Sequence, residues 1–445
     1  MAHPSRRSAR PPGAALPTAS PRAKVGLALA GGGPIGAIYE IGTLVALSEA
    51  LEGLDFNELD VYVGVSAGAL IAAGLANGMT PAAMCRMFID SDSAEVPFDP
   101  AILLRPALGE YAQRLRRLPQ LLWASARDYL EDPLHRDLLA SFERLGRVLP
   151  AGLFDNRGIA EMMERLFHHA GRSNDFRDLK HRLFLVATDL DTGAAVAFGS
   201  PGHDHVPIST AVQASAALPG LYPPVPIDGR WYVDGALKKT MHASVALKAG
   251  AELVLCVNPL VPYDAQRAAE LGHHHERQLV NGGLPVVLAQ TFRAIIHSRM
   301  QVGIANYEHE YPGADVLLFE PRADDDDMFF TNMFSYAGRQ WLSEHVYHRT
   351  REDLLRRHDE LAPKLARHGL RLRREVLTDP NRTLKRHLAQ LKRRRAREFG
   401  LSALRLSDTL DELSRAVNRL QARRRSKLAG ADETSRPPPA GSSRP

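Results

Sequence analysis

The chain has 445 residues, 44% of them hydrophobic and 24% charged, which excludes a wholly disordered, collagen-like or disulfide-stapled protein and allows a large packed core. Its two cysteines, Cys85 and Cys256, offer no secreted disulfide framework and point to a reducing, cytoplasmic setting. The net charge of +5 is uneven: residues 381–430 carry 15 Lys and Arg against 4 Asp and Glu, so the rest of the chain sums to −6.

In chain order, residues 1–23 are rich in Arg, Pro, Ser and Ala, lack an apolar signal region, and read as a disordered arm. Val25–Ala30 is an apolar run long enough for one buried strand. Glycines 31–33 break it, and Ala37–Leu51 follows with apolar residues at helical spacing. A second run, Val61–Val65, leads through Ser66 into a predicted helix, Ala67–Ala76. This alternation predicts an α/β fold with a parallel sheet. No charged residue lies between Val61 and Cys85, a length that would suit a membrane span. Gly64, Gly68, Gly74, Gly78 and Pro81 divide it more economically into strand, turn and helix.

Further strands are expected at Leu183–Ala187, Leu253–Val257 and Val316–Phe319, with a helical insertion over about 91–171. Its apolar clusters (Leu103 and Leu104; Leu121 to Trp123; Met162, Met163, Leu166 and Phe167) suit an amphipathic cap. The main domain is placed at 24–345, a basic helical extension at 346–430 and a disordered Pro/Ser-rich tail at 431–445. In the extension, Leu384, Leu388 and Leu391, then Leu406, Leu410, Leu413, Val417 and Leu420, follow 4-3-4-3 spacing on two helices separated near Gly400. Such a hairpin would pack on the body or on a second copy. Its clusters Lys392–Arg395 and Arg423–Arg425 also suit a peripheral anionic membrane. Nucleic acid is not expected, because no aromatics are interleaved to stack on bases. The oligomeric state is not readable.

Two motifs carry chemistry. Gly31-Gly32-Gly33-Pro34-Ile35-Gly36 fits G-x-G-x-x-G between a strand and a helix. A dinucleotide site would need a carboxylate at the end of the next strand; Asp60 stands at that strand's beginning instead. In the required place lies Gly64-Val65-Ser66-Ala67-Gly68, a G-x-S-x-G turn that would raise a serine hydroxyl above the sheet edge. A parallel sheet would bring the glycine loop to the same edge, where its amides could hold an oxyanion.

A nucleophilic serine needs a base. His203, His205, His242 and His297 all follow Ser66 and leave a Ser-His-Asp esterase open. Asp234, at the end of Trp231–Ala236 in an Asp-Gly pair, offers a carboxylate base. His273–His275 and Asp324–Asp327 read as solvated loops; the latter lacks the spacing of a calcium loop. Met328, Phe329, Phe330, Met333 and Phe334 read as core, with insertion into a lipid surface as the alternative.

The glycine loop, the Ser66 turn and Asp234-Gly235-Ala236, in that order, resemble the patatin-like phospholipases over about residues 24–345. So do Ala187-Thr-Asp-Leu-Asp-Thr-Gly193 and the segment Ala214–Val225. The resemblance implies a three-layer α/β/α fold with a mostly parallel central sheet, carrying the helical insertion and the C-terminal extension. It implies Ser66 as nucleophile, Asp234 as proton acceptor, and an oxyanion hole among Gly31, Gly32, Gly33 and Gly36. Gly64 and Gly68 would shape the nucleophile elbow. The implied substrates are phospholipids, lysophospholipids or glycerides, with no required metal or cofactor. Ile35 departs from the pattern, in which many members carry Arg or Lys; this weakens a phospholipid assignment relative to other acyl esters. A third reading is a catalytically silent adaptor that docks on membranes through the basic hairpin.

Overall fold

Apolar runs too short for helices form the centre of the protein, seen in a computed structural model that describes residues 23–89, 98–107, 151–272, 278–330, 336–393, 410, 413 and 414. The strands are β1 (Val25–Leu29), β2 (Leu51–Glu52), β3 (Val61–Val65), β4 (Arg182–Asp189), β5 (Ala195–Phe198), β6 (Val225–Ile227), β7 (Arg230–Asp234), β8 (Leu253–Val257), β9 (Asp315–Phe319) and β10 (Arg371–Leu372). The main sheet runs β6-β7-β4-β3-β1-β8-β9, with β5 paired to β4. β4, β3, β1, β8 and β9 are parallel neighbours, whereas β5, β6 and β7 join antiparallel. β2 and β10 form a separate small ladder.

The five-residue strands β1, β3 and β8 are buried throughout, as a sheet covered on both faces requires. Alternate side chains feed two cores. Leu27, Leu29, Tyr62, Leu185 and Leu255 face one, with α1 (Gly33–Ala50), α2 (Ala67–Ala76) and the helices Ile208–Ser215 and Tyr336–Arg356. Ala28, Val63, Val65, Val186 and Cys256 face the other, with the helices Ala243–Lys248 and Gly283–Glu310. The result is the expected three-layer α/β/α arrangement.

The uncharged stretch from Val61 to Cys85 is strand, turn and helix, and no helix among the described residues is long and apolar enough to cross a membrane. Of the insertion, residues 98–107 and 151–171 are described; Met162, Met163, Leu166 and Phe167 are core residues on the helix Arg157–Phe167. The junction expected between 345 and 346 falls inside the helix Tyr336–Arg356, whose Leu342, Val346, Tyr347 and Leu354 are buried in the first core. Beyond it, Leu384 and Leu388, on a helix over 384–393, close on the same core.

One expectation is overturned. Asp324, Asp325 and Asp326 are buried, not solvated. Asp324 pairs with Arg322 (2.7 Å) and Arg267 (3.4 Å), Asp325 with His345 (2.8 Å), and Asp326 accepts from the Tyr263 hydroxyl. A run of acids can be buried when each carboxylate finds its own partner. Residues 1–22, Leu121 to Trp123, His273–His275, Met333, Phe334, Leu406, Val417, Leu420, Arg423–Arg425 and the tail lie outside the described residues.

Candidate active site

Strand register brings the site together. β3 pairs with β4 over Val61–Val65, ending at Val65 opposite Val186. β5 takes the other side of β4 over 185–188, so β7, pairing at 187–189, must share the side of β3. Asp234 lies opposite Ala187, one residue beyond Val186. It therefore stands about one strand step past Val65, where Ser66 leaves the sheet.

Ser66 is held at φ 54° and ψ −120°, a conformation that a non-glycine residue adopts only at a cost of about 1–3 kcal/mol. The surrounding backbone enforces it. A Cβ on Gly68 would meet the Ala30 carbonyl oxygen at 2.6 Å, and one on Gly64 would meet the Ala69 Cα at 2.6 Å. The Gly68 amide donates to the Ala30 carbonyl (3.1 Å), which ties the elbow to the end of β1.

The glycine loop faces the serine. A Cβ on Gly31 would lie 3.0 Å from the Ser66 Cβ and 3.6 Å from its Oγ, so the bare backbone of Gly31 borders the hydroxyl. Pro259 packs behind Gly32 and Gly36. Gly36 is not positioned for the role expected of it: its amide donates to the Gly32 carbonyl (3.0 Å) as the first turn of α1 closes. Gly31 precedes that turn, and Gly32 and Gly33 open it as N-cap and first residue, where amides lack intrahelical partners. Ile35 is partly buried and packs against the first core.

The Asp234 carboxylate is buried and accepts the Ala236 amide at 2.8 Å. Burial pushes its pKa up to about 6, against the lowering effects of the Ser66 hydroxyl and the Ala236 amide. Among the described residues, the four candidate histidines are engaged elsewhere. His203 stacks edge-on against Phe198, His205 pairs with Asp228 (2.9 Å), and His297 lies beside Glu320 (3.6 Å). His242 is buried behind the Asp234-Gly235 turn, its Nε2 3.4 Å from the Gly235 carbonyl, and burial lowers its pKa to about 4.

One residue escaped the sequence reading. The Ser215 Oγ accepts the Ser66 amide (2.9 Å) and donates to the Val186 carbonyl (2.6 Å). Two residues on, the Ala217 carbonyl accepts the Asp234 amide (3.0 Å). The end of one helix thus hangs both Ser66 and Asp234. Ser215 lies within the Ala214–Val225 segment, but its role depends on a helix crossing that no local pattern signals. Asp189, in the other motif segment, pairs with Arg230 (2.7 Å) and accepts the amides of Asp191 and Thr192, a turn-forming role. Asp325, Asp327 and His345 form a cluster of metal-ligating types past the end of β9, in which Asp325 already pairs with His345 (2.8 Å) and Arg349 (3.9 Å).

Residues 27–247 match the family model of the patatin-like phospholipases, so the chain carries a domain of that family. Among solved structures, it is similar to VipD from Legionella pneumophila (19% identity over 56% of this chain and 53% of that one, TM-score 0.29). It is also similar to the heterodimeric complex ExoU-SpcU from the type III secretion system of Pseudomonas aeruginosa (17% identity over 76% and 52%, TM-score 0.26). The match spans about half the length of those chains.

Proposed function

We propose that the protein is a serine lipid acyl hydrolase, of phospholipase A or lysophospholipase type, working through Ser66 and Asp234. The observation that carries this reading is the buried Asp234 carboxylate placed by strand register about one step past the point where the strained Ser66 leaves the sheet, beside a glycine loop whose backbone borders the hydroxyl. The family match supports the lipid substrate class.

In this mechanism Asp234 takes the hydroxyl proton as Ser66 Oγ bonds to the acyl carbonyl carbon. The carbonyl oxygen becomes an oxyanion facing the amides of Gly31, Gly32 and Gly33. The intermediate collapses by releasing the alcohol portion of the lipid, which takes the proton from Asp234. Water, deprotonated by Asp234, then attacks the acyl carbonyl carbon, and the fatty acid is released as Ser66 Oγ leaves and takes that proton back from Asp234. A neutral Ile35 in the loop favours acyl-ester recognition through the carbonyl over recognition of a phosphate.

The test is fatty-acid release from phospholipid, lysophospholipid and monoglyceride in the presence of EDTA, wild type beside Ser66→Ala. Release by the wild type alone is expected. Equal release by the variant would refute the assignment.

A further inference from the structure

The helix Gly283–Glu310 is apolar on two sides. Ile296, Met300, Ile304 and Tyr307 pack into the second core. Opposite them, Leu284, Val287, Leu288, Phe292, Ile295 and Val302 are between 43% and 70% exposed. At 100° per residue these six fall within one continuous stripe.

Geometry places half of this helix beyond the sheet. It crosses from the end of β8 to the start of its parallel neighbour β9, so it runs back from the edge that carries Ser66. Its 28 residues span about 42 Å, whereas the five-residue strands it connects span about 17 Å. Only residues 311–314 separate its end from β9, so about 25 Å of excess length must overhang the Ser66 edge. Burial agrees: where burial is described, no residue of 281–295 is buried. Gln290 bonds to the backbone of Tyr263, and the Ile296 carbonyl accepts from Thr240, just after the Asp234-Gly235 turn.

Charge selects the occupant. No Asp or Glu occurs from Gln278 to Tyr307; Arg293 turns towards the body, its guanidinium 4.5 Å from the centre of the Phe329 ring, while Arg299 is exposed. An apolar stripe that carries an exposed cation and no acid suits the interface of a phospholipid layer, with the helix lying in its plane. Resting on the lipid hydrolase reading, we propose that the overhanging half of this helix is the surface by which the enzyme docks on a lipid layer, holding the Ser66 edge against its substrate. This surface is distinct from the basic segment 381–430.

The test pairs wild type with Leu284→Ser/Leu288→Ser/Ile295→Ser, exposed positions outside the catalytic machinery. Binding to pure phosphatidylcholine vesicles, which give a basic tail nothing to attract, is measured by flotation. Turnover of vesicle lipid and of dissolved p-nitrophenyl butyrate is measured beside it, with light scattering for mass. The proposal expects vesicle binding and vesicle turnover to fall about tenfold or more, with butyrate turnover within about twofold of wild type. Unchanged vesicle binding overturns it, as does a wild type that fails to bind. A dimeric wild type that the variant converts to a monomer, with vesicle binding kept, assigns the stripe to a second copy and also overturns it. Absence of butyrate and lipid turnover in a wild type that still binds vesicles refutes the hydrolase reading but leaves the docking surface standing.

Discussion

Asp234 meets two opposing demands. Burial makes its carboxylate a stronger base, and the Ser66 hydroxyl and the Ala236 amide keep its pKa from rising further than about 6. The proton-acceptor role therefore predicts that kcat/KM falls as pH drops through about 6 and is level above about 7, in a pH profile on a dissolved ester. The stability consequence has the opposite sense. A carboxyl whose folded pKa exceeds its unfolded value favours folding when protonated, so its contribution declines as pH rises from about 4 through 6. Asp234→Asn should lose turnover by about a hundredfold or more, yet unfold at equal or higher temperature than wild type at pH 8. Ser215→Ala should cost about 1–3 kcal/mol by leaving the Ser66 amide unpartnered, and should lower kcat more than it raises KM. Denaturation and steady-state kinetics check both. Ser66 is legible in sequence because its turn is local. Asp234 is legible only as an Asp-Gly after apolar residues. Ser215 is not legible, since its partners stand 149 and 29 positions away.

At the scale of elements, the parallel strands were readable because burial on both faces leaves continuous apolar runs. β5, β6 and β7 were not, because they are short and partly exposed; Trp231 on β7 is 47% exposed. Yet β7 delivers Asp234, the proposed base, by continuing the line of β3 along β4. The buried acids at 324–326 were misread for a related reason: their partners Arg267, Tyr263 and His345 come from distant segments. Gly68→Ala should destabilise by about 1–3 kcal/mol, because a methyl at 2.6 Å from the Ala30 oxygen forces α2 off the end of β1. A thermal melt beside Gly33→Ala separates this steric effect from backbone strain, since a Cβ on Gly33 meets nothing within 4 Å but its φ is +59°.

Across the whole molecule, the C-terminal segment is bound to the catalytic body through Glu49 on α1. Although burial acts to raise its pKa, bonds from His387, Tyr347 and Arg382 hold it down to about 2. Leu384 and Leu388 close over the same region, and the Glu344 carboxylate accepts the Leu384 amide (2.8 Å). Glu49→Ala should destabilise by about 3–5 kcal/mol at pH 7, as expected when one partner of a buried charge cluster is removed. The folded pKa lies below the unfolded one, so the wild-type advantage over the variant is full above about pH 5 and fades as pH falls towards 2. Urea melts of both proteins at pH 7 and pH 3 read this difference. Part of the predicted basic hairpin is therefore a packing element, with the exposed Lys392 and Arg393 at the limit of the continuous described chain.

The central claim is a serine activated by a carboxylate without histidine. Its most direct test is the rate of fluorophosphonate labelling, followed by intact mass and peptide mapping, in wild type, Asp234→Asn and His242→Gln. The account predicts a single adduct on Ser66, labelling about a hundredfold slower or more in Asp234→Asn, and a near wild-type rate in His242→Gln. An adduct on another residue, or labelling that ignores Asp234 and depends on His242, would contradict it.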